Sequence, residues 1–540
     1  MLMLARRHAR PIAALAVIAL ILFMTAPHQG DYWWSEASRN ALDGAFFLDL
    51  VRALPIHGPK AWAVAYYMQY PALTVGFYPP LMHLALAFAF ALFGVTHAAA
   101  AAVAILFLLA YLLATYALAR RLAPLWAALA AALLLAAAPE IVRWGQQVML
   151  DIPAIALAAW AVALLVRYGI TARPRDLVLS AILALAALYT KQTLAPGLLG
   201  AALGLLAWRG LPLLRRPHLW ITVAITLVLL VPLAWLQLRF AQFNLVSVEH
   251  GSFVGMPSQF SAASLRFYFA HLPGMVGWPL LLLAIAGAAC LVAQWPTLAP
   301  PARGTAIILF AWLAVAWIAL TLIAQKEPRH GLPLVVPLPI LAAYALTRLA
   351  ALFRRPQPIA MAAVIASLAA FAWTLSGKPT PVITGIRQAA VEITRLMPAG
   401  GRVMLLSNRD GSFIFNVRVL DPARRLTVVR ADKLFLDIAV IPALGMHPRG
   451  ISAAQVAAMM NSYSIAYVVA TPDLWTDAPV IRRLGEVLAS PQFAPVERIP
   501  VTGDAAEHEV VVYRNLGPLA AHPEPIHSDL MGGGVQVSAK

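Results

Sequence analysis

Apolar runs alternate with short arginine clusters along the first 375 residues, and one gap between them stands out. From about residue 28 to 80 the chain carries Asp31, Glu36, Arg39, Asp43 and Asp49. Charged groups in such density are costly in hydrocarbon, so this segment belongs outside the bilayer. Within it, Leu42, Phe46, Leu50 and Leu54 fall on one helical stripe and Glu36, Arg39, Asn40 and Asp43 on another. That pattern predicts a helix lying flat on a membrane surface, greasy below and polar above.

The flanking runs follow from length. Ile12 to Thr25 comes after a basic leader with no small-residue cleavage site, which predicts an uncleaved first span and a cytoplasmic N-terminus. LMHLALAFAFALFG, ending at Gly94, is short for a span and reads as a further interfacial or re-entrant helix. Spans are then predicted near 97–119, 122–139, 151–167, 177–190, 193–208, 219–237, 274–294, 304–324, 331–350 and 358–375, about eleven with the first. An odd number places the C-terminus outside.

Past Lys378 the texture changes. Strand-length runs (RVMLLS, LTVVRA, IAYVVA, ERIPV, HEVVVYR) alternate with amphipathic stretches such as ITGIRQAAVEITRLM and AAQVAAMMNSY. The expected fold class is thus a polytopic α-helical membrane protein with external juxtamembrane helices and a C-terminal soluble α/β domain. Its expected divisions are a membrane domain at 1–377, with external loops at 27–96 and 239–273, an α/β domain at 378–516, and a Pro-, His- and Gly-rich disordered tail at 517–540.

Composition closes off other classes. The 540 residues are 61% hydrophobic and only 12% charged, and the mean hydropathy is +0.78. A soluble domain carries about twice that charge, so a soluble fold is excluded. The net charge of +17 would suit a polyanion partner, but one set of span flanks holds fifteen basic residues against the single acidic Asp176. This is the positive-inside bias, which reports orientation and not nucleic-acid binding. Cys290 is the only cysteine, which leaves no disulfide and no thiolate metal site.

No predicted span carries Asp, Glu, Lys or Arg in its central turns, which argues against an ion-coupled transporter. Charges gather instead at the outer ends: Asp151, Lys191, Glu249, His250, Lys326 and Arg329. Such a rim suits a substrate with a lipid tail and a phosphate head, in which cations hold the phosphate and a carboxylate activates an acceptor hydroxyl. Blander roles compete at each position. Glu36 could pair with Arg39, Asp31 could cap a helix and Asp43 sit in a turn, Asp151 could cap its helix, and Lys191 could snorkel. The aromatics around Tyr32 and Tyr70 read first as an interfacial belt.

The order of several short motifs is similar to that of the glycosyltransferase type C superfamily, in particular its family 39 branch of aminoarabinose lipid A transferases and protein O-mannosyltransferases. The motifs are EASRNA at 36–41, YPPL through LFG at 78–94, Leu150-Asp151-Ile152-Pro153, Tyr189-Thr190-Lys191, Val248-Glu249-His250 and Lys326-Glu327-Pro328-Arg329. The resemblance implies an inverting transfer of sugar from a polyprenyl-phosphate carrier to a lipid, glycan or protein acceptor, on the periplasmic face of a bacterial inner membrane. It implies catalytic roles for Glu36 and Asp151, with Asp31 or Asp43 as further acids. Lys191, Lys326, Arg329, His250 and Arg39 would hold the donor phosphate, and Tyr78, Tyr32 and Glu249 would contact sugar or acceptor. Phe77-Tyr78 stands where many relatives carry a lysine, which leaves the donor class and any divalent cation open. The rival reading from another class is a transporter or flippase of lipid-linked sugars.

Overall fold

The computed structural model describes residues 2–30, 32–240, 257–438, 446–472, 474–475, 477–503, 505–529 and 536–538. Asp31, Glu249 and His250 lie outside the described residues. The chain packs as two compact units, the first formed by Met1–Ala26, Gly76–Met82 and Ala102–Thr380, the second by Pro27–Val75, His83–Ala101 and Pro381–Lys540. The boundary expected at 377 divides the sequence but not the packing, because most of the first loop clusters with the C-terminal segment.

The first unit is helical. Among the described residues of the chain, five helices are long and apolar enough to cross a membrane: His97–Ala119, Asp151–Thr171, Pro217–Phe240, Pro300–Leu322 and Pro356–Gly377. Two bent pairs raise the number to seven, and the shorter apolar helices His8–Met24, Leu81–Phe93 and Trp278–Ala293 fall below the length criterion. The expected total of eleven also counted pieces of this kind. Prolines explain both bends. At Pro139 the missing N–H ends the Leu125–Ala136 helix, and Pro139–Gly145 leaves at 67°. Pro333, Pro337 and Pro339 interrupt the α-helical ladder between Pro328–Val335, a 3-10 segment, and Leu338–Ala351, which meet at 48°.

The second unit contains a five-stranded sheet in the spatial order Leu426–Arg430, Gly401–Leu406, Ile465–Ala470, Glu509–Asn515, Phe493–Pro500. The first three strands run parallel, and Glu509–Asn515 is antiparallel to both of its neighbours. Val403, Met404, Val428, Val468, Val511 and Val512 are buried, as expected of a sheet covered on both faces. After the sheet, where composition led to an expectation of disorder, the Ala520 and Glu524 amides donate to Asn461 and Ser462 carbonyls, and 527–529 pair with 536–538.

The helix Ser35–Ala53 departs from its expected role. Its polar stripe does not face water: Asn40 and Asp43 are buried along with Ala41, Leu42 and Ala45, while Leu54 at the end of the apolar stripe is 66% exposed. Thr74 donates to Asp43, His83 lies against Asn40 and Asp410 of the C-terminal segment receives Arg39, which compensates the burial, and two glycines permit close approach. A Cβ on Gly411 would stand 2.7 Å from Arg39 Cγ, and one on Gly44 would stand 2.5 Å from Leu86 Cβ.

Candidate functional site

In the first unit, charged groups collect at helix starts. Asp151 opens the helix Asp151–Thr171, and Lys191 immediately precedes the 3-10 turn Gln192–Leu194 that leads into Ala195–Arg209. Lys191 Nζ donates to Asp151 Oδ1 at 2.7 Å, and both residues are buried. Asp151 Oδ2 is buried with no hydrogen-bond partner among the described residues. Arg329 Nε donates to Glu327 Oε2 at 3.1 Å, and its guanidinium lies 5.3 Å from the centre of the Trp144 ring. Arg329 and His330 lie near enough to act on Asp151 electrostatically.

Asp151, Lys191 and Arg329 are thus withdrawn from water inside an apolar helical unit, with Glu327 half-buried beside Arg329, an arrangement that persists only where the charges match one another. The two cations could receive a phosphate, and the two carboxylates hold them in place for it.

Sequence reasoning passed over further polar residues close to these positions along the chain. His330 follows directly on Arg329, and Gln147, four residues before Asp151, is fully buried with both side-chain amide atoms unpartnered. Glu140 accepts from Arg143 at 2.7 Å and from the Trp144 indole at 2.5 Å, which fixes the ring under Arg329. A polar Gln-Gln pair between two apolar runs was the available signal.

Lys326 has a different position. Its ammonium donates to the Leu320, Thr321 and Ile323 carbonyls at 2.7 to 3.2 Å, so it caps the end of Pro300–Leu322. Tyr78 is half-buried with its ring against Phe77, 4.8 Å between centres.

The second unit holds the remaining predicted residues. Glu36 lies in the first turn of its helix, half-buried, and accepts from the Trp34 indole at 3.3 Å. Arg39, expected at the donor phosphate, instead grips Asp410 with its Nη2 at 2.7 and 2.9 Å from the two carboxylate oxygens. Arg430 closes on the same carboxylate. Burial raises the Asp410 pKa, but Arg39 and Arg430 outweigh it and hold the group below the usual carboxylate range.

Asp43, the alternative acid, is fully buried and accepts from the Thr74 amide at 2.9 Å and the Thr74 hydroxyl at 2.6 Å. Burial pushes its pKa up to about 7 despite those bonds and the Arg39 charge. Tyr32 is 1% exposed and bridges Val382, so its ring is packing and not an open platform. Among the described residues, no three His, Cys, Asp or Glu side chains converge on a site that could hold a metal ion.

Residues 78–235 match the family model described as dolichyl-phosphate-mannose-protein mannosyltransferase. No curated protein matches the chain. Among solved structures, ArnT from Cupriavidus metallidurans bound to undecaprenyl phosphate is 16% identical with a TM-score of 0.60, and the alignment covers 97% of this chain and 100% of that one. Its apo form aligns with a TM-score of 0.56 over 94% and 99% of the two chains, at 16% identity. The Archaeoglobus fulgidus oligosaccharyltransferase in complex with Zn and sulfate is 13% identical, with a TM-score of 0.52, over 86% of this chain and 68% of that one. The chain has the fold of these glycosyltransferases. The resemblance to the type C superfamily read from the sequence is borne out.

Proposed function

We propose that this chain is a glycosyltransferase of a bacterial inner membrane. It takes a sugar from a polyprenyl-phosphate carrier and transfers it, with inversion, to an acceptor on the periplasmic side. The observation that carries this reading is the pairing of buried Asp151 with buried Lys191 and of buried Arg329 with half-buried Glu327 within an apolar helical unit. A matched set of ions at helix starts suits a substrate whose charge is a phosphate and whose remainder is lipid. Support comes also from the family match over 78–235 and from the fold shared with a protein seen with undecaprenyl phosphate.

The chemistry is a displacement. An acceptor hydroxyl attacks the anomeric carbon, the bond from that carbon to phosphate oxygen breaks, and the polyprenyl phosphate leaves with the electron pair. Lys191 and Arg329 neutralise the charge that grows on the leaving phosphate, the step that most needs electrostatic help. Asp151 orients Lys191, and Glu327 orients Arg329. Glu36 is the carboxylate that the resemblance assigns to the acceptor, whose proton it takes.

The test is transfer itself. Full-length protein in bilayers, given radiolabelled polyprenyl-phosphate sugars and a lipid extract, is expected to produce labelled acceptor, and Glu36→Gln is expected to abolish it. Movement of the carrier across the bilayer without any transfer would replace this reading with that of a flippase.

A further inference from the structure

At the arginine-rich end of the first unit, away from the residues discussed so far in sequence and chemistry, a cavity of about 420 Å³ opens between helices. Its size falls within the usual range for small-molecule sites, about 300–1,000 Å³. Leu113, Tyr116 and Arg120 line it from His97–Ala119 and the residue that follows, at positions i, i+3 and i+7 of one face, a stripe about 10 Å long. His8 and Ile12, one turn apart, line it from the first helix, and Trp160 closes it from Asp151–Thr171.

The lining is divided lengthwise. Ile12, Leu113 and Trp160 make an apolar wall toward the middle of the helices, and the Trp160 indole is occupied by the Ala110 carbonyl at 2.9 Å. The helix-end portion is cationic, with Arg120 and Arg121 side by side. There His8 Nδ1 lies 2.8 Å from the Tyr116 hydroxyl. Arg120 uses one nitrogen on the Ala123 carbonyl, and its Nε has no partner among the described residues. Asp176, an acid close enough to act on Arg121, is already matched by Arg167 Nε at 3.3 Å.

We propose that this cavity is a binding site for one anionic phospholipid. Its headgroup phosphate lies against Arg120 and Arg121, with Tyr116 and His8 beside it, and an acyl chain runs along Ile12, Leu113 and Trp160. Basic pockets between membrane helices select anionic headgroups by charge, and a slot that is apolar along its length and basic at one end matches a lipid better than a soluble anion. The site is independent of the transfer chemistry.

Native mass spectrometry of the full-length protein in detergent, equilibrated with dioleoylphosphatidylglycerol or dioleoylphosphatidylcholine, tests it. The wild type is expected to retain one phosphatidylglycerol in preference to phosphatidylcholine, and Arg120→Gln and Arg121→Gln are each expected to reduce that preference about fivefold. Leu113→Trp leaves every charge in place and fills the slot; it is expected to lose the lipid, which keeps the test open if an arginine variant fails to fold. Equal retention of the two lipids, retention by Leu113→Trp, or displacement of the lipid by inorganic phosphate would each overturn the proposal.

Discussion

Lys191 and Asp151 stabilise each other at a depth where neither is stable alone. Removing one partner of a buried pair leaves an uncompensated charge at a cost of about 3–5 kcal/mol, whereas replacing both is far milder. Lys191→Met is therefore expected to lower the thermal midpoint in detergent sharply, and Lys191→Met with Asp151→Leu to recover much of the loss. Transfer should remain absent in the double variant, since the cation proposed to face the phosphate is still missing. Recovery of transfer along with stability would remove Lys191 from the site. Asp43 gives a second prediction at this scale. Its folded pKa, about 7, lies above its ordinary value of 3.8, so the folded form holds a proton that the unfolded chain gives up earlier. The stabilisation is fully present below the ordinary value and is lost as pH rises toward 7. In melting curves between pH 4 and 8 the wild type is expected to lose thermal stability relative to Asp43→Asn. The amide of that variant keeps the Thr74 contacts without a titrating proton; an identical pH dependence in the two proteins would place the titration elsewhere.

At the scale of elements, the Ser35–Ala53 helix shows where pattern reading succeeds and where it stops. Its existence and its two stripes were legible from spacing, because periodicity reports which residues share a face. Spacing alone could not tell which face is covered, since Arg39, Asn40 and Asp43 look like a solvated stripe until Asp410, Thr74 and His83 are brought to them from elsewhere in the chain. Such pairings, up to 371 residues apart, leave no local trace. The helix begins one turn before Arg39, with Glu36 in its first turn, so the Arg39–Asp410 bond fixes the direction in which Glu36 leaves the backbone. Asp410→Asn is expected to lower the rate of transfer at saturating donor more than the donor KM, because it disturbs the carboxylate proposed for the acceptor and not the cations proposed for the phosphate. Gly411→Ala should act the same way, since its methyl group would collide with Arg39. Proportional loss in KM alone would show that the contact serves donor binding.

For the whole molecule, the apolar helices and the strands of the C-terminal segment could be read from length and alternation, and the buried ion cluster could be read in outline from charges at span ends. The membership of the second unit could not. It is assembled from segments on both sides of the long apolar region, and bonds between them are numerous. Asp49 receives Arg418 at 2.8 Å, Gln69 donates to the Arg424 and Leu426 carbonyls, Arg430 donates to the Pro71 carbonyl, and Arg409 to that of Trp33. Asp49 and Arg418 are both nearly inaccessible to water, so each depends on the other in the sense argued for Lys191. A C-terminal domain that merely recognised a ligand could be removed without harm to the first loop. This one supplies the loop with its counter-ions and much of its packing. Truncation after Thr380 is therefore expected to make residues 27–75 open to limited proteolysis and to abolish sugar transfer, while Asp49→Asn in the full-length chain produces a weaker form of the same sensitivity. A truncated protein whose first loop stays protected and whose transfer persists would mean that the loop stands on its own.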